Sequence, residues 1–155
     1  MKRYLIDFFK FNDWANRKLL DTIKNIPDKE EPVKLFGHIV TAQYRWLNRI
    51  TKEHDDSTQS WSGSVIPLDQ LEAAWSDSLG KLISILENSS DSDLENQIVF
   101  RRPSDSKDMV VKMRDIMFQL NYHSIGHRAQ INRIIRLQGV TPPATDYIFT
   151  VLKEA

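Results

Sequence analysis

With 155 residues the chain has the size of one domain, residues 1–155, and is long enough to bury a core. Its 21 Lys and Arg balance 21 Asp and Glu, so neither a nucleic-acid backbone nor an anionic membrane surface finds an electrostatic footing on it. Cysteine is absent, which removes disulfides, a thiolate nucleophile and thiolate metal ligands together and leaves His, carboxylate and water to hold any metal.

No uninterrupted apolar run reaches membrane-spanning length. The opening MKRYLIDFFKFNDWANRKLL is broken by Asp7, Lys10 and Asp13, so it reads as neither a signal peptide nor a spanning helix, and a cytoplasmic protein is expected. Phe8, Phe11, Ala15 and Leu19 recur at helical steps between Lys2 and about Asn25, with Pro27 as a stop, which predicts a first amphipathic helix. The short polar linker Pro27 to Glu31 favours an antiparallel second helix from about Pro32 to Ile50. That helix carries Leu35, His38, Ala42 and Trp46 on one face, so His38 sits on a stripe meant for the core.

The segment Thr51 to Ile66 is polar and aperiodic and reads as a loop. His54 beside Asp55 and Asp56 is a solvated group there, whereas Trp61 is expected to pack on the bundle or a partner chain. Leu71, Trp75, Leu79, Leu82 and Leu86 mark a third helix from about Leu68 to Leu86, with Asp69 and Glu72 in its first turn. It has neither histidine nor an acid on its apolar stripe and supplies wall rather than chemistry. Ile98 to Phe100 and Met109 to Val111, separated by turn-forming residues from Pro103 to Asp108, predict a small β-hairpin. Arg101 and Arg102 are within reach of an anionic ligand group but read more simply as a solvated strand end.

The fourth helix is expected from about Arg114 to Gln138, terminated by Gly139 in a left-handed conformation. Ile116, Leu120, His123, His127, Ile131 and Ile134 follow one another at steps of three and four, so both histidines fall on the apolar stripe, one turn apart. This HxxxH pair lacks the intervening Glu of metalloprotease helices, and core histidines satisfied by carbonyls or hydroxyls share its spacing. Two helices that each place histidine where an aliphatic would pack better nevertheless suggest a site, because a ring buried without partners costs roughly 1 to 3 kcal/mol. Gly126 costs about 1 kcal/mol relative to Ala inside a helix and is expected where a helix or ligand approaches the backbone. Beyond Pro142 and Pro143, the tail Ala144 to Ala155 contains Tyr147, Ile148, Phe149, Val151 and Leu152 and is expected to pack across an open end or groove. The fold expected is therefore all-α: a four-helix bundle with a hairpin between the third and fourth helices and a C-terminal tail packed on it.

Trp14, Ala15 and Asn16 in DWANRKLL, His38 and Trp46 in GHIVTAQYRWLNRI, and the run His123, Ser124, His127, Arg128, Gln130, Ile131 with Gly139, Pro142, Pro143 and Asp146 together resemble the DinB-like (YfiT-like) metalloenzyme superfamily over nearly the whole chain. The resemblance implies a divalent metal, commonly zinc or nickel, held by three histidines. By position these are His38, His123 and His127. It also implies a homodimer and a small-molecule substrate. The activities implied are those of thiol-dependent S-transferases, isomerases using a low-molecular-weight thiol, and metal-dependent hydrolases. Gln43 stands where relatives often carry Glu, which argues against a carboxylate general base there. Three imidazoles leave a zinc ion an open position for water or a substrate atom. Gln43, Tyr44, Tyr122, Arg128 and Tyr147 are candidate neighbours of metal or substrate. The rival reading is a non-catalytic helical module for interaction or dimerisation, with Trp61 and the tail as contact surface and any metal structural.

Overall fold

The structure is a computed structural model that describes residues 1–52 and 66–154. His54 and Trp61 lie outside the described residues. Four long helices, α1 (Lys2–Ile23), α2 (Glu30–Thr51), α3 (Leu68–Asn88) and α4 (Met113–Leu137), form a bundle, and a hairpin of β1 (Gln97–Arg101) and β2 (Asp108–Lys112) separates α3 from α4. Both α1 and α2 pack on α3 and α4. α1 and α2 thus sit diagonally in the bundle, and the histidine-bearing α2 and α4 are direct neighbours. No helix among the described residues is long and apolar enough to cross a membrane.

Each helix end follows from local chemistry. The Asp91 side chain, from the segment after α3, accepts the Lys2 backbone N–H at 2.8 Å and so caps α1. The Asp28 carboxylate does the same for Glu30 at 3.0 Å, and Glu30 and Glu31 place negative charge at the positive end of α2. α2 stops where Lys52 turns left-handed at φ 57°. Gly139 takes φ +76°, while its N–H donates to the Arg136 carbonyl at 3.0 Å and that of Val140 to Ile135 at 3.3 Å. These two bonds close α4 in a Schellman motif that needs a residue tolerant of positive φ.

The core between the helices is filled by Trp75, Phe9, Phe36, Leu19, Leu71 and Leu82, all fully buried. Phe36 and Trp75 meet edge to face with centroids 5.9 Å apart, and the indole N–H finds its acceptor in Asp13 at 2.9 Å. In the hairpin, Gln97 pairs with Lys112 and Arg101 with Asp108. Ile98 is buried, and Phe100 meets Trp46 edge-on while the Arg49 guanidinium lies over both rings. Arg101 is exposed and Arg102 closes the turn on Asp105 at 2.8 Å, as a strand end in solvent should.

Two expectations need correction. Gly126 has no close neighbour among the described residues: a Cβ built there meets none of them within 4 Å, because position 126 lies on the outward side of α4. The tail touches the bundle chiefly through Tyr147, edge-on to Phe11 at 5.3 Å. Ile148, Phe149, Val151 and Leu152 remain about half exposed, since the short 3-10 turn Tyr147–Thr150 cannot aim all of them at one surface.

Candidate metal centre

His38 comes from the middle of α2, and His123 and His127 stand one turn apart on α4. The three rings converge, with centroids 5.0 Å apart for His38 and His123, 4.8 Å for His38 and His127, and 4.4 Å for His123 and His127. One ring nitrogen from each lies within 4.8 Å of the other two. Rings brought this close without a shared partner would set three acceptor or donor edges against one another, so their approach is itself a constraint on what can sit between them.

The rings are half-buried rather than enclosed. The fully buried line of α4 runs through Met117, Leu120, Asn121, Ser124, Arg128, Ile131 and Ile135, and that of α2 through Phe36, Ile39, Val40 and Gln43. Both stripes lie slightly around the helix from the apolar pattern expected, leaving the histidines at the boundary of the core with one side towards solvent. Desolvation by burial, reinforced by His127 and His38, pushes His123 down to about 4. Burial, then His127 and the Arg45 guanidinium, lowers His38. Both rings are therefore neutral at pH 7, the form in which imidazole offers a lone pair to a cation.

Hydrogen bonding points the same way. Nδ1 of His127 donates to the Gln130 side-chain carbonyl at 2.8 Å, which fixes the tautomer and leaves the Nε2 lone pair available. His123 Nε2 is buried and has no hydrogen-bond partner among the described residues. An imidazole nitrogen without a partner among the described residues, in a cluster with two other imidazoles, fits a divalent metal ion, which nitrogen donors suit.

The other expected neighbours go elsewhere. Gln43 is buried, and its carbonyl oxygen accepts from the Ser78 hydroxyl of α3 at 2.6 Å. The Tyr44 hydroxyl donates to Asp77 at 2.8 Å, and burial together with that bond pushes it up to about 12. Tyr122 is exposed and edge-on to Phe8, and Tyr147 lies against Phe11. Arg128 is buried, donating to Asn12 at 2.8 Å and Asn16 at 3.0 Å, with burial lowering it to about 10. Among the described residues, none of the five makes a hydrogen bond or ring contact with the histidines. Sequence reasoning placed Gln130 in the family motif but gave it no role beside His127, although its place three residues on was a usable signal. It also missed the network in which Asn12 donates to Asn121 at 2.7 Å and Asn16 to Ser124 at 2.8 Å; polar residues at steps of three and four on α1 and α4 were its signal.

The family described as DinB family matches residues 1–154. No curated protein and no solved structure matches the chain.

Proposed function

The chain belongs to the DinB family, and from that premise we propose that it is a metal-dependent enzyme of the thiol S-transferase or hydrolase type, acting on a small molecule at a divalent ion held by His38, His123 and His127. The observation that carries this reading is the buried Nε2 of His123, without a partner among the described residues, in a cluster with two further half-buried imidazoles. Zinc or nickel, when bound, supplies a Lewis acid that makes water or a thiol a better nucleophile at neutral pH. The protein's part is to keep His38 and His123 neutral by burial, to hold the His127 tautomer through Gln130, and to leave the solvent side of the cluster open for a substrate. With no cysteine in the chain, a reacting thiol comes from a low-molecular-weight co-substrate.

Balanced charge and the absence of a candidate membrane span among the described residues support a cytoplasmic protein with neither nucleic acid nor membrane as partner. The half-exposed Ile148, Phe149 and Leu152 support a homodimer contact through the tail. The same surface favours the second reading, a non-catalytic dimerisation module with a structural metal. The test is to load purified protein with zinc or nickel and assay it both for thiol addition to small electrophiles and for ester and amide hydrolysis. Turnover that depends on metal and is lost in His123→Ala supports the enzyme. Stable metal uptake with no turnover in either assay supports the module.

A further inference from the structure

A second cavity lies on the other side of α4 and involves no metal. Ile125 and Ala129 follow His123 and His127 by two residues, about 200° around the helix, and together with α1 and the C-terminal segment they enclose about 450 Å³. That volume falls in the range of small-molecule sites. Phe8, Phe11 and Tyr147 give it aromatic walls.

Its polar groups leave one acceptor and one buried charge without complements. Asn132 lines the cavity, and its Oδ1 is buried with no hydrogen-bond partner among the described residues. Arg128 is 4% exposed; among the described residues it donates to the neutral side chains of Asn12 and Asn16, and its guanidinium lies over the Phe11 ring at 5.3 Å. No carboxylate among the described residues lies within ion-pair distance of its guanidinium, and a buried charge without a counter-charge is costly. The same cavity is lined by two exposed carboxylates. Asp7 faces only Arg3 at 3.4 Å, and Asp146 has no ion pair among the described residues.

A purely anionic ligand would meet repulsion from Asp7 and Asp146, and a purely cationic one from Arg128. A molecule carrying both charges meets neither. We infer that this cavity binds a small zwitterion of the free amino-acid class with an apolar side chain. Its carboxylate pairs with the Arg128 guanidinium, whose planar fork suits two oxygens. Its ammonium donates to Asn132 Oδ1 and pairs with Asp146, and its side chain lies against Phe8, Phe11 and Tyr147. This site is independent of the proposed metal chemistry.

Calorimetric titration of the full chain with L-phenylalanine and L-leucine tests it, with 3-phenylpropionate and phenethylamine as probes bearing one charge each. L-phenylalanine is expected to bind about tenfold or more tightly than either single-charge analogue, the scale of one charged hydrogen bond. Asn132→Leu and Ala129→Trp are each expected to weaken it by about the same factor or more. Ala129 is exposed, so its replacement fills the cavity without touching the core and stands as the test if Asn132→Leu fails to fold. Zinc loading is expected to leave the Kd unchanged. The inference is overturned if neither amino acid binds at millimolar concentration, if 3-phenylpropionate or phenethylamine binds as tightly as L-phenylalanine, or if Ala129→Trp leaves binding intact.

Discussion

At the scale of the residue, His123 joins stability to chemistry. Its unfolded counterpart titrates near 6.5, whereas burial holds the folded ring at about 4. His38 is lowered in the same direction. Between those limits the unfolded chain binds more protons than the folded one, so stability is complete above pH 6.5 and is lost as pH falls towards 4. Carboxylates such as Asp77 and Asp91, held below their ordinary range by their donors, lose their contributions only in more acid solution. Thermal melting of metal-free protein is therefore expected to show a lower Tm at about pH 5 than at about pH 7.5, with a smaller difference in His123→Leu. Equal melting temperatures across that interval would contradict a buried neutral ring. Gly126 offers an opposite case. It faces open space in mid-helix, so Gly126→Ala should raise stability by about 1 kcal/mol in chemical denaturation, and a loss would mean that the backbone there is approached by something.

At the scale of the element, α4 is organised as three rows: histidines on one side, a buried polar row of Asn121, Ser124 and Arg128 facing α1, and the cavity wall beyond it. The polar row ties α4 to α1 through Asn12 and Asn16, and each side chain in it satisfies another. Asn16→Ala removes an acceptor of Arg128 and the donor to Ser124, and is expected to cost roughly 1 to 3 kcal/mol of unfolding free energy while leaving every histidine in place. Gly139→Ala forces a Cβ into positive φ at the end of α4 and should cost about 1 to 2 kcal/mol, read from the denaturation midpoint.

These elements also show what was legible in the chain. Gly139 and the proline stops marked helix ends to within a few residues because glycine and proline act through local backbone geometry. His123 and His127 were found because their spacing is a property of one helix, and His38 because it stands on the apolar stripe of another and at the matching place in the family resemblance. The polar row was not found, because an apolar count passes over Asn and Ser at core positions, and only the partner helix reveals that they satisfy one another. The stripe was displaced for the same reason: once Asn121, Ser124 and Arg128 belong to the core, the buried face of α4 turns away from His123, His127 and Ile134.

At the scale of the whole molecule, the bundle sets α2 and α4 side by side, so that residues separated by more than half of the chain in sequence present their nitrogens to one space. α3 has no histidine and serves as wall through Leu71, Trp75 and Leu82. An ion shared by α2 and α4 would bind the folded protein and not the unfolded chain, adding about 2.7 kcal/mol of stability when free metal exceeds Kd about a hundredfold. The most direct measurement is calorimetric zinc titration of the metal-stripped protein at neutral pH, beside His38→Ala, His123→Ala and His127→Ala variants whose helicity matches wild type. One ion per chain is expected in the wild type, with a raised Tm, and no specific uptake in the three variants. Wild type that takes up no zinc or nickel, or variants that bind as it does, would contradict a metal centre built from these three residues.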